Sequence, residues 1–533
     1  MTSAAQLRSR PDTDTGRRAD LAAAHAVFGC LLRELAPPDG APAVVDGAVR
    51  LLLRHVDVTV RCQVARVSPL GAHRYTGPVQ RSAGGGRWED LDADGLAALV
   101  AGELGTRTGL ANDEFVEQVR ASRDTVARLL AERPAEDPTP TGEPAIDAYV
   151  DSEQSLVFGH PHHPTPKWRS GDPDSWRAYA PELRTAFRLH WLAVPDDLIA
   201  DAGPFDPLVA ALDPPRPPRG HRVLPVHPWQ LSLIPPTHPL LRHLGAAGVP
   251  VRPTASVRTL YAPEADLFVK TSLHVRITNC LRKNARYELT GAVALTDLLT
   301  RVPLPDGVRL LTEPAYRTVD VPGPDEAYGT ILRGGLRPHL RPGDVPVLAA
   351  ALAAAPLATA DPVAWWRAYV SLLVPAVLRS WLSHGVVHEA HLQNVVVVLD
   401  SDHRPVRMLL RDLEGVKLAA DQWGTWPDAV PAQVRYGPRA AHRRIVYCLF
   451  VNHLGGISGA LADARPGIER RLWQELRAVV EAVSADLGDP AELRALLTGE
   501  PLLAKANLLV RWRRDADRAA PFVPVPNPMG GPR

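Results

Sequence analysis

Residues His384–Gly415 read HGVVHEAHLQNVVVVLDSDHRPVRMLLRDLEG, and this stretch decides how the rest of the chain is organised. Val395–Leu399 is an unbroken aliphatic run dominated by β-branched residues, the pattern of a buried strand. Asp400–Pro405 supplies turn formers and Val406–Leu410 returns to apolar character, so the segment predicts a β-hairpin. A hairpin sets the residues before its first strand beside those after its second. Glu389, His391, Gln393 and Asn394 should therefore meet Arg411, Asp412 and Glu414 at one sheet end. Three carboxylates, a histidine, two amides and an arginine are costly to gather unless they meet a metal or a charged ligand. A solvated polar rim is the plain alternative, and the density of acceptors beside two apolar strands argues against it.

Immediately upstream, Asp361-Pro362 predicts a helix start, with an acid at the N-cap and proline at the first position. The apolar pattern runs on to Ser383 through a kink point at Pro375, and Gly385 can take a left-handed cap. This helix delivers the chain into the polar loop.

At 533 residues the chain exceeds what one hydrophobic core supports, so two to four domains or subdomains are expected. A 45% hydrophobic and 22% charged composition fits a soluble globular protein. A net charge of +1 gives no global field for nucleic acid or anionic membrane, so neither partner is expected and small molecules are. The first twenty residues lack a secretory apolar core, and Val347–Ala360 is too short for a membrane span. Cys30, Cys62, Cys280 and Cys448 are scattered without CxxC spacing, which favours free thiols in the cytoplasm over disulfides or zinc. A homodimer is compatible with this composition.

Along the chain, residues 1–19 read as disordered and Leu21–Leu35 as a helix with Asp20 at its N-cap. Val56–Val67 alternates as a strand, and Leu91–Leu104 and Asp113–Glu132 are amphipathic helices. Arg133–Pro144 is a linker, which bounds a helical N-terminal region, 1–144. Residues 145–350 mix short strands and turns. Residues 351–533 are more helical, with Arg443–Leu454 and Ile468–Leu487 as helices and Val523–Met529 as an extended tail. The whole is α+β, with helices around antiparallel sheet.

Four stretches carry chemistry. In HEAHLQN, Glu389 and Asn394 have the offset of a kinase catalytic-loop acid and metal-binding Asn, with Asp412 as a second acid after a strand pair. This favours ATP and Mg2+ at the loop and leaves a small-molecule kinase as the alternative activity. In Ser256–Arg286, Ser256, Arg258 and Thr259 alternate with apolar neighbours and Lys270 ends a strand. Thr278 and Asn279 are read as caps of a helix whose first turn carries Arg282, a natural anion site. In Gly159–Gly171, GHPHHPTPKWRSG, His160, His163, Lys167 and Arg169 lie in a proline-stiffened loop without the cysteines or HExxH of a zinc site. In LPVHPWQ, His227 stands at a strand end before a turn.

The order GHPHHPTPKWRSG, LPVHPWQ, SVRT, KTSLHVRITNCLR, HEAHLQN, RDLEG and VPVPNPM resembles the IucA/IucC family of siderophore synthetases independent of nonribosomal peptide synthetases. The resemblance spans roughly residues 145–533. It implies a thumb (1–144), fingers (145–350) and palm (351–533), with ATP and Mg2+ between fingers and palm. It puts Ser256, Arg258, Thr259 and Lys270 on nucleotide-contacting positions. Thr278 and Arg282 fall where phosphate and substrate carboxylate are both met. His391, Asn394 and Asp412 match further contacts, with His163 on the carboxylate and Glu389 and Asp412 as metal ligands. Arg282, His391 and Lys270 are the catalytic candidates. The resemblance also leads one to expect an acid soon after Arg333, which Ile331–Pro338 lacks. The implied activity is ATP-dependent adenylation of citrate or a related polycarboxylic acid, followed by capture with an amine or hydroxyl. Adenylation brings an anionic nucleophile to an anionic phosphate, which suits the basic set Arg258, Lys270, Arg282, His391 and Arg411.

Overall fold

The computed structural model describes residues 13–36, 43–172, 174–278, 280–321, 324–516 and 519–530. At its centre is the expected hairpin, Val395–Leu399 paired antiparallel with Pro405–Leu410. Val345–Leu348 flanks one strand antiparallel and Val308–Leu310 the other in parallel. Both faces of the hairpin are buried, which is why the sequence shows a continuous apolar run. Val395, Val397, Met408 and Leu410 face the helix Pro362–His384, through Trp366, Tyr369, Leu373 and Val377. Val396, Val398 and Leu409 face Ile146, Tyr149, Tyr261 and Phe268. The hairpin is thus the partition between a helical body and a sheet body.

Helix Pro362–His384 begins and ends as its sequence predicts. The Asp361 carboxylate accepts the Val363 and Ala364 N–H groups at 3.0 Å, worth about 1 kcal/mol, and Gly385 closes the helix at φ 64°.

The sheet body is an eight-stranded sheet. Its order is Ile199–Ala202, Ala315–Val319, Thr330–Gly334, Leu267–Thr271, Thr259–Ala262, Arg242–Pro253, Phe187–Pro195 and His221–Val226. All neighbours run antiparallel. Lys270 and Arg333 therefore come from adjacent central strands.

Four expectations are corrected. Region 1–144, read as helical, carries a five-stranded antiparallel sheet between Ala43 and Leu91, packed under helices Thr13–Leu35, Ala93–Thr108 and Phe115–Glu132. The first helix starts at Thr13, so 13–19 are helical rather than disordered, and residues 1–12 lie outside the described set. Leu508 and Trp512 of the late helix Asn507–Arg513 complete this N-terminal core. The helix expected after Thr278 begins at Arg286 instead. Leu273–Ile277 and Cys280–Arg282 pair as a hairpin with Thr278 at its turn, and Glu288 accepts the Ala285 N–H to cap the later helix; Asn279 lies outside the described residues. Finally, Pro438–Ala464 is a 27-residue helix apolar enough to match a membrane span, and most of it is buried inside the protein. Its turns widen over Val446–Leu454, a form often found at functional sites.

Candidate active site

The strand Pro405–Leu410 hands its chain to Asp412, whose backbone is left-handed at φ 71°. Aspartate tolerates that conformation better than most residues. Asp412 Oδ1 accepts from Lys270 and, at 2.9 Å, from Arg333. Lys270, 2% exposed, also contacts Glu414 at 2.7 Å. Arg258 reaches the same Glu414 oxygen at 3.1 Å and donates to Asn284 and to the Lys283 carbonyl. Arg333 donates twice to Glu313, at 2.5 and 3.0 Å. Three cations and three carboxylates thus alternate through one buried network. Burial alone would raise the Asp412 carboxyl, but Lys270, Arg333 and Arg258 outweigh it and hold Asp412 well below the usual carboxylate range.

Ile331–Pro338 holds no acid; the carboxylate that pairs with Arg333 is Glu313, upstream in the chain. It stands alone in the apolar run Leu310–Pro314, a signal too weak to read without the neighbouring strand.

The HEAHLQN loop is wound tightly by its own bonds. Asn394 donates its amide N–H to the His391 carbonyl and its side chain to the Glu389 carbonyl. His391 Nδ1 accepts the Gln393 N–H at 3.2 Å, so the neutral ring carries its proton on Nε2. Burial lowers its pKa, so at neutral pH His391 is an uncharged donor. Glu389 is held by Arg444 at 2.8 Å. From the wide-turn segment, His453 bridges the Ala390 carbonyl and the Tyr369 hydroxyl. Asn452 accepts the Leu392 N–H, and its amide faces His160 Nε2 at 3.0 Å. Arg444, Asn452 and His453 were not legible as site residues, because only the tertiary fold brings them to the loop.

Gly415 leaves room that a side chain would take. A Cβ there would lie 2.6 Å from Glu389 Oε2 and 3.8 Å from Asp412 Oδ2. The two carboxylates therefore line one small gap. Among the described residues no three His, Cys, Asp or Glu side chains form a metal-binding group. A carboxylate pair still suits Mg2+, which keeps waters and takes phosphate oxygens, better than zinc, which needs a fuller protein set.

The basic candidates divide. Arg411 is taken up by Glu153, Tyr149 and the Gln393 carbonyl, so it is a clamp and not a cation free for ligand. Through Glu153 Oε2, which accepts the Ala255 N–H, this clamp ties the Ser256–Thr259 turn to the RDLEG loop. Ser256 Oγ accepts the Thr259 N–H, and the intervening Val257 is forced to φ 69°, costing about 1–3 kcal/mol for a β-branched residue. Lys167 and Arg169 both pair with buried Glu182, whose carboxyl burial would raise but the two cations hold down at about 2. They hold the loop rather than a ligand.

Thr278, at φ 55°, is pinned by its carbonyl to Arg511, and Arg282 approaches its hydroxyl at 3.4 Å. The Arg282 carbonyl in turn meets Arg258 at 3.4 Å, which brings the anion hairpin to the charged network. Trp168 and Ser170 of the proline-stiffened loop pair with this hairpin. His163 accepts the Thr165 N–H within its loop, and it is His160 that reaches Asn452 beside His391.

Residues 148–354 match the IucA/IucC family, and residues 363–520 match a ferric iron reductase FhuF-like transporter family. Cys448 is the sole cysteine in the second segment, so no thiolate set for an iron–sulfur centre lies there. The chain is 29% identical to the L-2,3-diaminopropanoate–citrate ligase of Staphylococcus aureus, over 72% of this chain and 75% of that protein. It is 25% identical to the N(2)-citryl-N(6)-acetyl-N(6)-hydroxylysine synthase of Vibrio mimicus, over 94% and 95%. The ATP-bound aerobactin synthetase IucA of Klebsiella pneumoniae has the same fold, with TM-score 0.80 at 22% identity over 95% of this chain and 99% of that one. The named activities of the relatives make this an enzyme that joins acids to amines. Over residues 148–354 the chain is thus similar to the IucA/IucC family, and its fold is that of the IucA synthetase structure.

Proposed function

We propose that this enzyme uses ATP and Mg2+ to adenylate a carboxylate of citrate or a related polycarboxylic acid, then joins the acyl group to an amine or hydroxyl. A carboxylate oxygen attacks the α-phosphorus and pyrophosphate leaves; the nucleophile then attacks the acyl carbon, loses its proton and expels AMP. The named activities of the two relatives above, both citrate-joining, support the acid. The ATP-bound structural neighbour supports the nucleotide.

The observation that carries the reading is how the charged groups are engaged. A kinase would need Glu389 as the base that takes a hydroxyl proton, whereas Glu389 stands between Arg444 and the Asp412 side, an arrangement for holding charge. A carboxylate acceptor needs no base, only donors that hold it against phosphate. In this reading Ser256, Arg258, Thr259, Lys270, Asn394 and Asp412 hold the nucleotide. Thr278, Arg282, His163 and the Nε2–H of His391 hold the acid. Glu389 and Asp412 hold Mg2+, which when bound would neutralise phosphate charge. Residues 1–144, 145–350 and 351–533 serve as thumb, fingers and palm, and the enzyme works in the cytoplasm where ATP is supplied.

The test is citrate, ATP and Mg2+ with hydroxylamine in place of the natural amine. A hydroxamate should form with the wild type and be lost in His391→Ala and Lys270→Ala. Accumulation of ADP, with no hydroxamate from any polycarboxylic acid, would overturn the reading.

A further inference from the structure

Beside the HEAHLQN loop lies a second polar group that the reaction above does not use. Helix Thr13–Leu35 presents Gly29 and Arg33, one turn apart on one face, toward the Gly159–Gly171 loop and the strand Arg74–Ala83. Four atoms here are buried without a hydrogen-bond partner: Arg33 Nε, His73 Nε2, Tyr75 Oη and His162 Nδ1. Tyr75 Oη and His162 Nδ1 lie 3.5 and 3.7 Å from the point where a Cβ on Gly29 would sit, so they border the same gap. His73 Nδ1 accepts the Ser68 N–H, which puts the neutral ring's proton on Nε2 and makes that orphan a donor. Arg33 is bonded to the Leu70 carbonyl and forms no ion pair among the described residues. Glu34, its neighbour, points away to the Leu508 and Leu509 N–H groups.

Buried donors left without acceptors are costly, and a cation among them more so. Arg33, His73 and Tyr75 offer N–H and O–H groups that suit an acceptor oxygen, and the charge on Arg33 favours an anionic one. The gap is also next to the reaction centre. His160, two residues from His162, faces Asn452, which holds the Leu392 N–H beside His391.

We propose that this group is a second carboxylate pocket, and that it takes the carboxylate of the amine substrate, which makes the nucleophile an amino acid rather than a simple polyamine. The proposal rests on the ligase reading. The acid's own carboxylates already have Thr278, Arg282, His163 and His391 in that reading. The N-terminal region thereby acquires a role, because it supplies Arg33, His73 and Tyr75.

The experiment compares two amine pairs that differ only by a carboxylate, 2,3-diaminopropanoate with 1,2-diaminoethane and lysine with 1,5-diaminopentane, in the full-length enzyme with ATP, Mg2+ and citrate. The wild type should favour the carboxylate-bearing member of at least one pair by about 10–100-fold in kcat/KM, the range of a charge-assisted contact. Arg33→Gln should collapse that ratio toward one. Tyr75→Phe removes only an unpartnered hydroxyl, so the protein should fold as the wild type does while the ratio falls about 3–10-fold. A wild type indifferent to the amine's carboxylate would overturn the proposal. So would equal losses for both members of a pair, which is what a pocket for the acid's distal carboxylate, or a purely structural Arg33, would give. Absence of any citrate-dependent product with the wild type, hydroxylamine included, would refute the ligase reading instead.

Discussion

Gly415→Ala changes no charged group and no hydrogen-bonding group, yet it should disable the proposed Mg2+ pair. The backbone there is not left-handed, so alanine is tolerated conformationally. The added methyl, however, would sit 2.6 Å from Glu389 Oε2. Ordinary contact needs roughly 3.5 Å, so the carboxylate must retreat by about 0.9 Å. The displaced oxygen is the one bonded to Arg444 at 2.8 Å, so the retreat also loosens the group that holds Glu389 in place. Displacing a metal ligand or its support costs about 10–100-fold in metal affinity, equivalent to about 1.4–2.7 kcal/mol. The cost to folding should stay within about 1 kcal/mol, because the clash is with the end of a side chain. The assay is initial rate of hydroxamate formation against free Mg2+ at saturating ATP and citrate, with a denaturant midpoint as control. Half-saturation by Mg2+ within twofold of the wild type would refute the placement of metal between Glu389 and Asp412.

Arg282→Ala should lower kcat/KM for citrate by about 10²–10³, since it removes a donor facing both anions; activity within threefold of the wild type would show that the hairpin is ordinary surface. Glu182→Gln leaves Lys167 and Arg169 buried beside a neutral amide and should destabilise the protein by about 3–5 kcal/mol, read from urea unfolding. Stability should also fall with acid. Burial lowers His160, His227 and His453 to about 3 and His73 and His388 to about 4. The unfolded chain therefore binds more protons below about pH 6.5, and each histidine removes about 1.4 kcal/mol per pH unit there. Glu34, pushed up to about 8 by burial, offsets one of them, because its folded carboxyl binds a proton that the unfolded one has lost. A urea midpoint that stays level from pH 6.5 to 5 would contradict this.

What the sequence revealed was whatever local pattern controls. Val395–Leu410 alternates between two buried faces and carries its own turn, and Asp361, Pro362 and Gly385 are capping signals that act within one turn of helix. The Thr278 region misled for a physical reason. Thr278 sits at a hairpin turn and not at a helix cap, because Leu273–Ile277 finds a strand partner in Cys280–Arg282, and tertiary pairing overrides the capping pattern. The N-terminal sheet was missed, apart from the strand at Val58–Arg66, because strands such as Ala43–Val45 and Glu89–Leu91 are too short to show a period. The charged network was half legible. Asp412 and Glu414 stood out in RDLEG, but their pairing with Lys270, Arg258 and Arg333 joins distant segments, and no spacing rule marks Glu313 or Arg444. Arg411 shows the converse: its motif position suggested a ligand contact, and Glu153, far away in sequence, claims it.

The central claim is that the acid attacks the α-phosphorus of ATP, and isotope exchange between labelled pyrophosphate and ATP tests it before any amine is added. With Mg2+ and citrate or a related polycarboxylic acid, label should enter ATP at a rate that depends on the acid and is lost in Lys270→Ala. If no polycarboxylic acid supports the exchange, and ADP accumulates instead, the bond broken is at the γ-phosphate and the adenylation account is wrong.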